Sequence, residues 1–227
     1  MPVPWLSGAY VVTEQAQTVT TFPLTLPFAR TLDLSLDDRV TVFVGENGTG
    51  KSTVIEALAE LVGLPWDGGS GNELAASERT GAKRLAHFMR PRIRNKAPNK
   101  HFFRAEALSD FGHLLEARDN DPDFKWFGHD PFSRFGGESI RHRSHGEATK
   151  LLIKSHDRRG LYFFDEPENA LSPRAQLDFV KLVEERVAIV MSIKRARIIS
   201  FDTPELAVVK REETNAWKTY ATLFSKL

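Results

Sequence analysis

Short apolar runs recur along the chain, and each is followed by a turn or by a segment with helical spacing. Val40–Val44 is such a run. Behind it, a glycine-rich turn leads into a segment patterned as a helix that begins near Lys51 and ends near Gly63, where glycine is the usual stop. Leu161–Phe164 is a second predicted strand. Strands that alternate with helices predict an α/β fold with a largely parallel sheet.

Two further strands and two further helices are predicted toward the carboxyl end. The strands are the apolar runs 187–191 and 196–201. One helix precedes them, with Ser172 as its N-cap and Pro173 in its first position. The other helix would place five large apolar residues on one face: Trp217, Tyr220, Leu223, Phe224 and Leu227. We expect these helices to flank the sheet.

The stretch 64–137 lacks this regularity. It is rich in glycine, proline, asparagine and charged residues, and it shows neither a period nor a repeat. We interpret it as a helical and loop-rich subdomain inserted into the α/β core. Residues 1–63 and 138–227 would then form that core.

The composition is that of a soluble globular protein, with 41% hydrophobic and 27% charged residues among 227. No apolar run approaches the roughly 20 residues that cross a membrane, and the N-terminus lacks the pattern of a secretion signal. The sequence contains no cysteine, which excludes disulfide bonds and thiolate metal sites. These features predict a cytoplasmic protein.

The charge is spread unevenly, although the net charge is only +1. Between Arg79 and Arg104 the chain carries basic residues and no acidic one. Such a stripe can neutralise the phosphates of nucleic acid, but a solvated face of the inserted subdomain explains it as well. The candidates for contacts with nucleic acid are Arg90, Arg92, Arg94 and Lys96.

The sequence GENGTGKS fits the pattern G-x-x-x-x-G-K-[ST] and lies between a predicted strand and a predicted helix. Its glycines let backbone N–H groups converge on a phosphate, and the helix presents its positive end to the same anion. Lys51 can reach the β- and γ-phosphates of ATP, and the Ser52 hydroxyl can ligate Mg²⁺. The predicted nucleotide-binding residues are Gly45, Glu46, Asn47, Gly48, Thr49, Gly50, Lys51, Ser52 and Thr53.

Two acidic residues follow the strand Leu161–Phe164 directly. An acid at the end of a buried strand beside the glycine-rich motif would hold Mg²⁺, often through water, and Asp165 fits this role. Glu166 could orient and deprotonate an attacking water. The predicted catalytic residues are therefore Glu166 and Lys51, and the predicted metal ligands are Ser52 and Asp165.

The segment RHRSHGEATKLL, Arg141–Leu152, admits two local interpretations. His142 and His145 could share a metal ion, but a closed zinc site needs three or four ligands and none here is a cysteine. A capped helix explains the segment better. Ser144 would be its N-cap, and Glu147, three residues on, would complete a capping box before a helix that runs to about residue 156.

Taken in order, GENGTGKS, SHGE and FFDEPENALSP resemble the ABC-type ATPase heads of transporters and of SMC-like DNA-repair ATPases. The nearest likeness is to small stand-alone bacterial ATPases of this kind, and it covers nearly the whole chain. The resemblance implies a P-loop fold and a head-to-tail homodimer that buries two ATP molecules between its subunits. It implies a signature motif that faces the partner's γ-phosphate, and a D-loop. The signature residues would be Ser144, His145, Gly146 and Glu147, and the D-loop residues Ala170, Leu171 and Ser172.

Other positions of the family are matched less closely. The Q-loop, which links Mg²⁺ to the helical subdomain, has no convincing glutamine here, and Arg104 and Glu106 in FFRAEA are the candidates for its equivalent. Phe28 and Arg30 are the candidates for contact with adenine.

The family's switch histidine is missing from its usual place after the next strand. In this chain the two predicted strands 187–191 and 196–201 are joined by only Ser192-Ile193-Lys194-Arg195. So short a link fits only an antiparallel hairpin, yet 187–191 reads as a strand buried on both faces and the turn lacks the residues that hairpins prefer. We therefore predict a discontinuity between Ser192 and Ile193, with Cα atoms farther apart than the roughly 3.8 Å of a peptide bond and with the switch histidine in a segment missing between them.

The expected function is Mg²⁺-dependent ATP binding and hydrolysis coupled to dimerisation. The alternative is a nucleotide-gated clamp on a protein or on nucleic acid, with weak hydrolysis, and true loss of the histidine would favour it. A transporter subunit and a DNA clamp are further possibilities. The lack of coiled-coil heptads argues against a long-armed SMC protein. The sequence identifies neither the partner nor the process that ATP would drive.

Overall fold

A computed structural model of the chain describes residues 5–65, 85–104, 108–123, 130–143, 145–155, 159–186 and 196–225. Its strands are β1 (Leu6–Val11), β2 (Asp33–Ser35), β3 (Thr41–Val44), β4 (Met89–Ile93), β5 (Lys100–Arg104), β6 (Leu161–Asp165), β7 (Arg197–Ser200) and β8 (Ala207–Val209). Its helices are α1 (Thr13–Ala16), α2 (Lys51–Leu61), α3 (Leu108–Asn120), α4 (His145–Ser155), α5 (Pro173–Arg186) and α6 (Asn215–Phe224). Within these ranges, the helices are too short or too polar to cross a bilayer.

One antiparallel sheet is built around β1, with β2 on one side and β4 on the other. Ala9 lies opposite Leu34 in β2 and opposite Pro91 in β4. A proline is tolerated in β4 because an edge strand need not donate every N–H to the ladder. The buried side chains of β1 face the hydrophobic core, whereas Tyr10 stays partly exposed.

Two pairs of strands are parallel. Thr41–Val44 pairs in register with Arg197–Ser200, and Lys100–Arg104 pairs in register with Leu161–Asp165. The other pairings among the described strands are antiparallel, including that of β7 with β8. A single, mostly parallel sheet of the P-loop type therefore stays a prediction.

Side chains of β5 and β6 alternate between two hydrophobic clusters. Phe102 and Phe163 belong to a cluster that also contains buried residues of α2 and β1. Phe103 and Phe164 belong to a second cluster, with residues of α4 and α5. Both faces of this strand pair are thus covered at their central phenylalanines, which is the usual environment of parallel strands.

Several predicted elements are confirmed. The helix α2 begins at Lys51, directly after Gly50 with φ 97°, and it is followed by Gly63 with φ 76°. The helix α5 begins at Pro173, as predicted, and β6 and β7 form where the apolar runs predicted strands. The helix α6 also forms, but its apolar residues Trp217, Tyr220 and Leu223 are exposed rather than packed on the sheet.

The region 64–137 differs from the expected loop-rich insertion. It contains β4 and β5, which pair with β1 and β6 and so belong to the same sheets as the predicted core. Charged residues within both strands hid them from the search for apolar runs. Some predictions concern residues outside the described ranges: the strand 187–191, the discontinuity after Ser192, the place of Leu227 on the last helix, and the roles of Glu106 and Ser144.

Candidate functional site

The glycine-rich loop, Gly45–Ser52, connects the carboxyl end of β3 to the first turn of α2. The Lys51 ammonium curls back over it and donates to the carbonyl oxygens of Gly45 at 2.7 Å and Glu46 at 2.8 Å. The Thr49 hydroxyl also donates to the Glu46 carbonyl, at 2.8 Å. The lysine is therefore held at the centre of the loop by backbone oxygens that it can exchange for others.

Two glycines in the loop could not be replaced without rearrangement. Gly50 has φ 97°, and a Cβ there would lie 2.9 Å from Leu26 Cδ1 and 2.9 Å from Phe28 Cζ. Gly45 has φ 149°, and a Cβ there would lie 3.0 Å from the Cβ of Phe201. Both positions thus need glycine for backbone conformation and for space, which gives the spacing of the motif a structural reason.

The loop ends beside the acid that terminates β6. Ser52 Oγ donates to Asp165 Oδ1 at 3.0 Å, although the two residues are 113 positions apart in sequence. Asp165 is buried, with 7% of its surface exposed. The structure thus brings together the two side chains predicted as metal ligands. Among the described residues, no group of three or more His, Asp or Glu side chains is arranged to hold a metal ion.

Arg104, at the end of β5, lies on the other side of Asp165. Its Nε is 3.6 Å from Asp165 Oδ2, and its Nη1 donates to Glu56 Oε1 of α2 at 2.6 Å. The guanidinium therefore neutralises two carboxylates near Ser52, at the end of the glycine-rich loop. Arg104 had been a candidate for a Q-loop role; here its contacts are with Asp165 and Glu56.

Glu166 has a left-handed backbone conformation, with φ 49°, which is uncommon for a residue with a side chain. Its side chain is exposed, and its Oε2 accepts a hydrogen bond from Asn169 Nδ2 at 2.6 Å. Strained backbone of this kind is often found at functional sites. The turn therefore directs Glu166 into solvent beside Asp165 instead of into the core.

Glu168 adds a third carboxylate to this corner. Its pKa is raised above the usual value, chiefly because protein atoms around the carboxyl displace water, and also because Glu166 and Asp165 carry like charge. The proximity of Lys51 acts in the opposite direction. Glu166, Asp165 and Lys51 thus all lie close enough to Glu168 to act on its charge.

The predicted D-loop begins with Ala170, the last residue of a short 3-10 turn, Pro167–Ala170, and continues through Leu171 and Ser172 to the start of α5. The Ser172 hydroxyl accepts from the Ala175 N–H at 3.3 Å, which confirms Ser172 as a cap of α5. Gln176 Nε2 donates to the carbonyl oxygens of Glu168 and Leu171 and so ties this segment to the first turn of α5.

Three of the four predicted signature residues, His145, Gly146 and Glu147, form the start of α4. Gly146 is partly buried and Glu147 is exposed, while Ala148 and Leu152 anchor the helix in the second hydrophobic cluster. The helix ends at Ser155, within a residue of the predicted end. The predicted capping by Ser144 lies outside the described residues.

Neither candidate for contact with adenine is placed to stack on a base in this structure. Phe28 is 3% exposed and packs edge-to-face against Phe201, beneath Gly50. Arg30 donates to the backbone carbonyls of the segment 16–19, with Nη2 2.6 Å from the Val19 oxygen. The sequence alone does not distinguish an aromatic residue that lines a binding site from one that packs in the core beneath the loop.

One residue at the loop was missed by the sequence analysis. Asp202, two residues after the end of β7, accepts a hydrogen bond at Oδ1 from the backbone N–H of Glu46 at 2.9 Å, and at Oδ2 from Asn215 Nδ2 at 3.2 Å. The available signal was an acid directly after the apolar run 196–201, the same pattern that singled out Asp165.

Two of the four candidates for contacts with nucleic acid, Arg92 in β4 and Arg94 directly after it, are paired with acids within the fold. Arg92 donates to both carboxylate oxygens of Asp33, one of them at 2.8 Å, and Arg94 donates to Asp37 at 2.7 Å. Arg92 also lies over the Tyr10 ring, 4.8 Å from its centroid. The pKa of Asp33 is lowered, mainly by the hydrogen bond from Arg92. These acids offset the positive charge that had suggested a nucleic-acid surface.

No protein-family model matches the chain, and none of the curated proteins compared with it is significantly similar. The class of protein therefore has to be argued from the residues at the glycine-rich loop.

Proposed function

We propose that this protein is a Mg²⁺-dependent ATPase of the ABC type, which binds ATP at the glycine-rich loop and hydrolyses it. One observation carries the proposal: the 3.0 Å hydrogen bond from Ser52 to Asp165. It joins the last residue of the loop motif to the acid that follows an apolar strand far along the chain. A glycine-rich turn without a function would not explain why these two side chains are in contact, whereas a shared magnesium ion would.

The geometry of the loop suits a polyphosphate. Gly48 and Gly50 have positive φ, 82° and 97°, and the 11-residue helix α2 starts immediately afterward. The first N–H groups of a helix have no intrahelical acceptor and attract anions. Lys51 supplies a full positive charge at the same point and can exchange the carbonyl oxygens of Gly45 and Glu46 for phosphate oxygens.

Magnesium fits the oxygen ligands available here. It is usually held by one or two protein oxygens together with substrate phosphates and water. Ser52 offers a hydroxyl and Asp165 a carboxylate, and their separation of 3.0 Å lets both face one cation. When bound, the ion would neutralise charge on the phosphates.

Glu166 is the proposed general base. Its carboxylate would take a proton from a water molecule whose oxygen attacks the γ-phosphorus; the bond from that phosphorus to the bridging oxygen would break, and ADP would leave with the electron pair. Asn169 donates to Oε2 at 2.6 Å and so orients the carboxylate while Oε1 can face the water. Lys51 would offset the charge on the phosphoryl group in the transition state.

A second copy of the chain is proposed to complete the site. The signature residues Ser144–Glu147 would contribute to the γ-phosphate held by the partner's glycine-rich loop. The 11-residue helix α4 offers a physical basis for this arrangement, because the first N–H groups of a helix have no intrahelical acceptor and attract anions.

The decisive experiment measures MgATP binding and phosphate release on purified variants. Lys51→Ala should weaken binding by at least about 100-fold, because two or more charge-assisted contacts to phosphate are lost. Glu166→Gln should bind as the wild type does and lose turnover. Lys181→Ala and Glu205→Gln, changes of exposed residues on α5 and after β7, serve as matched controls. Binding that survives Lys51→Ala, or full turnover by Glu166→Gln, would contradict the proposal.

A further inference from the structure

The Glu46 peptide is the most heavily restrained part of the glycine-rich loop. Its N–H donates to Asp202 at 2.9 Å, and its carbonyl accepts from Lys51 and from Thr49, each at 2.8 Å. Asp202 follows β7 by two residues, and the N–H of the intervening Phe201 donates to the Val44 carbonyl at 2.8 Å, which holds this segment beside the end of β3. Asp202, which lies outside the loop, thus restrains Glu46, the second residue of the loop.

These restraints do not all survive phosphate binding. Lys51 holds the Glu46 carbonyl here, but a lysine that reaches a phosphate must release that carbonyl. The contact between Asp202 and the Glu46 N–H does not involve Lys51, so it can persist when the lysine moves to a phosphate. After the exchange, Asp202 and Thr49 are what keep Gly45 at φ 149° and the loop in shape.

We propose that Asp202 is a positioning residue for phosphate binding: its carboxylate holds the first turn of the glycine-rich loop when Lys51 leaves the loop carbonyls for the nucleotide. The proposal rests on the proposed function, because it assigns Asp202 a role in the same site. Asp202 gains importance in the bound state, so it contributes to affinity more than to the stability of the free protein.

The contact with Asn215 extends this restraint to the C-terminal helix. Asn215 is the first residue of α6, and its Nδ2 donates to the second carboxylate oxygen of Asp202 at 3.2 Å. The amide limits rotation of the carboxylate, so that Oδ1 remains directed at Glu46. This bond is longer than the one to Glu46, and its loss should matter less.

The test measures Kd for MgATP and, separately, KM and kcat. Asp202→Ala should raise Kd and KM by about 5- to 10-fold, the effect of one hydrogen bond to a charged but exposed acceptor, with kcat nearly unchanged. Asp202→Asn keeps an oxygen acceptor for Glu46 and should restore most of the affinity. Asn215→Ala should give a smaller loss, and Glu205→Ala, an exposed carboxylate three positions on, should give none.

Thermal unfolding without nucleotide separates positioning from folding. Asp202→Ala should unfold within a few degrees of the wild type, because Lys51 and Thr49 still hold the loop; if it does not fold, Asp202→Ser, too short to reach Glu46, replaces it. Wild-type affinity in that variant, with Lys51→Ala still abolishing binding, would overturn the role of Asp202 and leave the proposed function standing. If the wild type binds no ATP, or binding is indifferent to Lys51, the proposed function fails and this inference with it.

Discussion

Arg104 is the residue whose removal should most disturb the candidate site. Its side chain is 17% exposed and lies between the side chains of Glu56, which is 24% exposed, and Asp165, which is 9% exposed. Arg104→Met keeps the aliphatic stem but leaves two largely buried carboxylates without their cation. Removal of one member of a buried ion pair costs about 3–5 kcal/mol, and the partial exposure here lowers the expectation to about 2–4 kcal/mol. For a protein of this size, that corresponds to a fall in Tm of about 4–16 °C.

The pH dependence of this loss is a second, independent part of the prediction. Without Arg104, burial should raise the pKa of the Asp165 carboxyl above its unfolded value. A carboxyl with a raised folded pKa destabilises the protein more as pH rises through that pKa, and hardly at all below the unfolded value. The difference in unfolding free energy between wild type and Arg104→Met should therefore be large at pH 7 and shrink toward pH 4.

Denaturant unfolding at several pH values measures both parts. The control is Arg174→Met, which removes an exposed arginine from the first turn of α5 and should change stability by less than about 0.5 kcal/mol. The double variant Arg104→Met with Glu56→Gln should recover at least about 1 kcal/mol, because one of the two abandoned charges is removed. A loss no larger than that of the control, or a larger loss that does not change with pH, would refute the reasoning.

Three further predictions follow from other parts of the structure. The pKa of Glu116 is lowered from its usual 4.5, first by the hydrogen bond from Ser139 and then by that from Arg141. This carboxylate therefore stabilises the fold above pH 4.5, and the stabilisation is lost as pH falls through the lowered pKa. In denaturant titrations, Glu116→Gln should be less stable than wild type at pH 7 and equal to it near pH 2. Ser144→Arg should bind ATP but not dimerise with it, whereas a mixture with Lys51→Ala should form dimers with one intact composite site; size-exclusion chromatography in the Glu166→Gln background checks this, and dimers of Ser144→Arg alone would contradict it. Because Arg92 and Arg94 pair with Asp33 and Asp37, duplex DNA should bind weakly at low salt and with a shallow salt dependence, and a log–log slope of about −4 or steeper would instead show that the basic residues of β4 contact phosphates.

The glycine-rich loop could be predicted from sequence because its requirements are local. An apolar run, glycines at fixed spacing and a helical pattern occupy 25 consecutive residues, from 39 to 63, and each feature specifies its own conformation. The strands β4 and β5 could not be predicted in this way. Their arginines and lysines read as a solvated loop, and only the partners on β2 and α2, Asp33 and Glu56, explain why charge is tolerated there.

Contacts between distant residues set the limit of the sequence analysis at the site. Asp202 is 156 positions from Glu46, and Arg104 is 48 positions from Glu56. A pattern of hydrophobic and polar positions indicates that an acid ends a strand, but not which backbone N–H that acid will meet. Phe28, a candidate for contact with adenine, is buried beneath Gly50, and its position in the core could not be read from the sequence.

The charged groups at the candidate site have partners within the chain, and this bears on how the site would bind. Lys51 contacts loop carbonyls, Asp165 contacts Ser52 and Arg104, and Glu166 contacts Asn169. ATP and Mg²⁺ would have to exchange the contacts of Lys51 and the hydrogen bond from Ser52 to Asp165, each of which contributes about 1–3 kcal/mol. Affinity is then the difference between new and old contacts.

The two exchanges also differ in kind. Phosphate alone can displace the carbonyls from Lys51, but only a cation can draw Ser52 and Asp165 onto a common ligand. We therefore expect nucleotide to bind weakly without Mg²⁺, and Ser52→Ala to reduce the benefit of Mg²⁺ more than the affinity for the nucleotide alone.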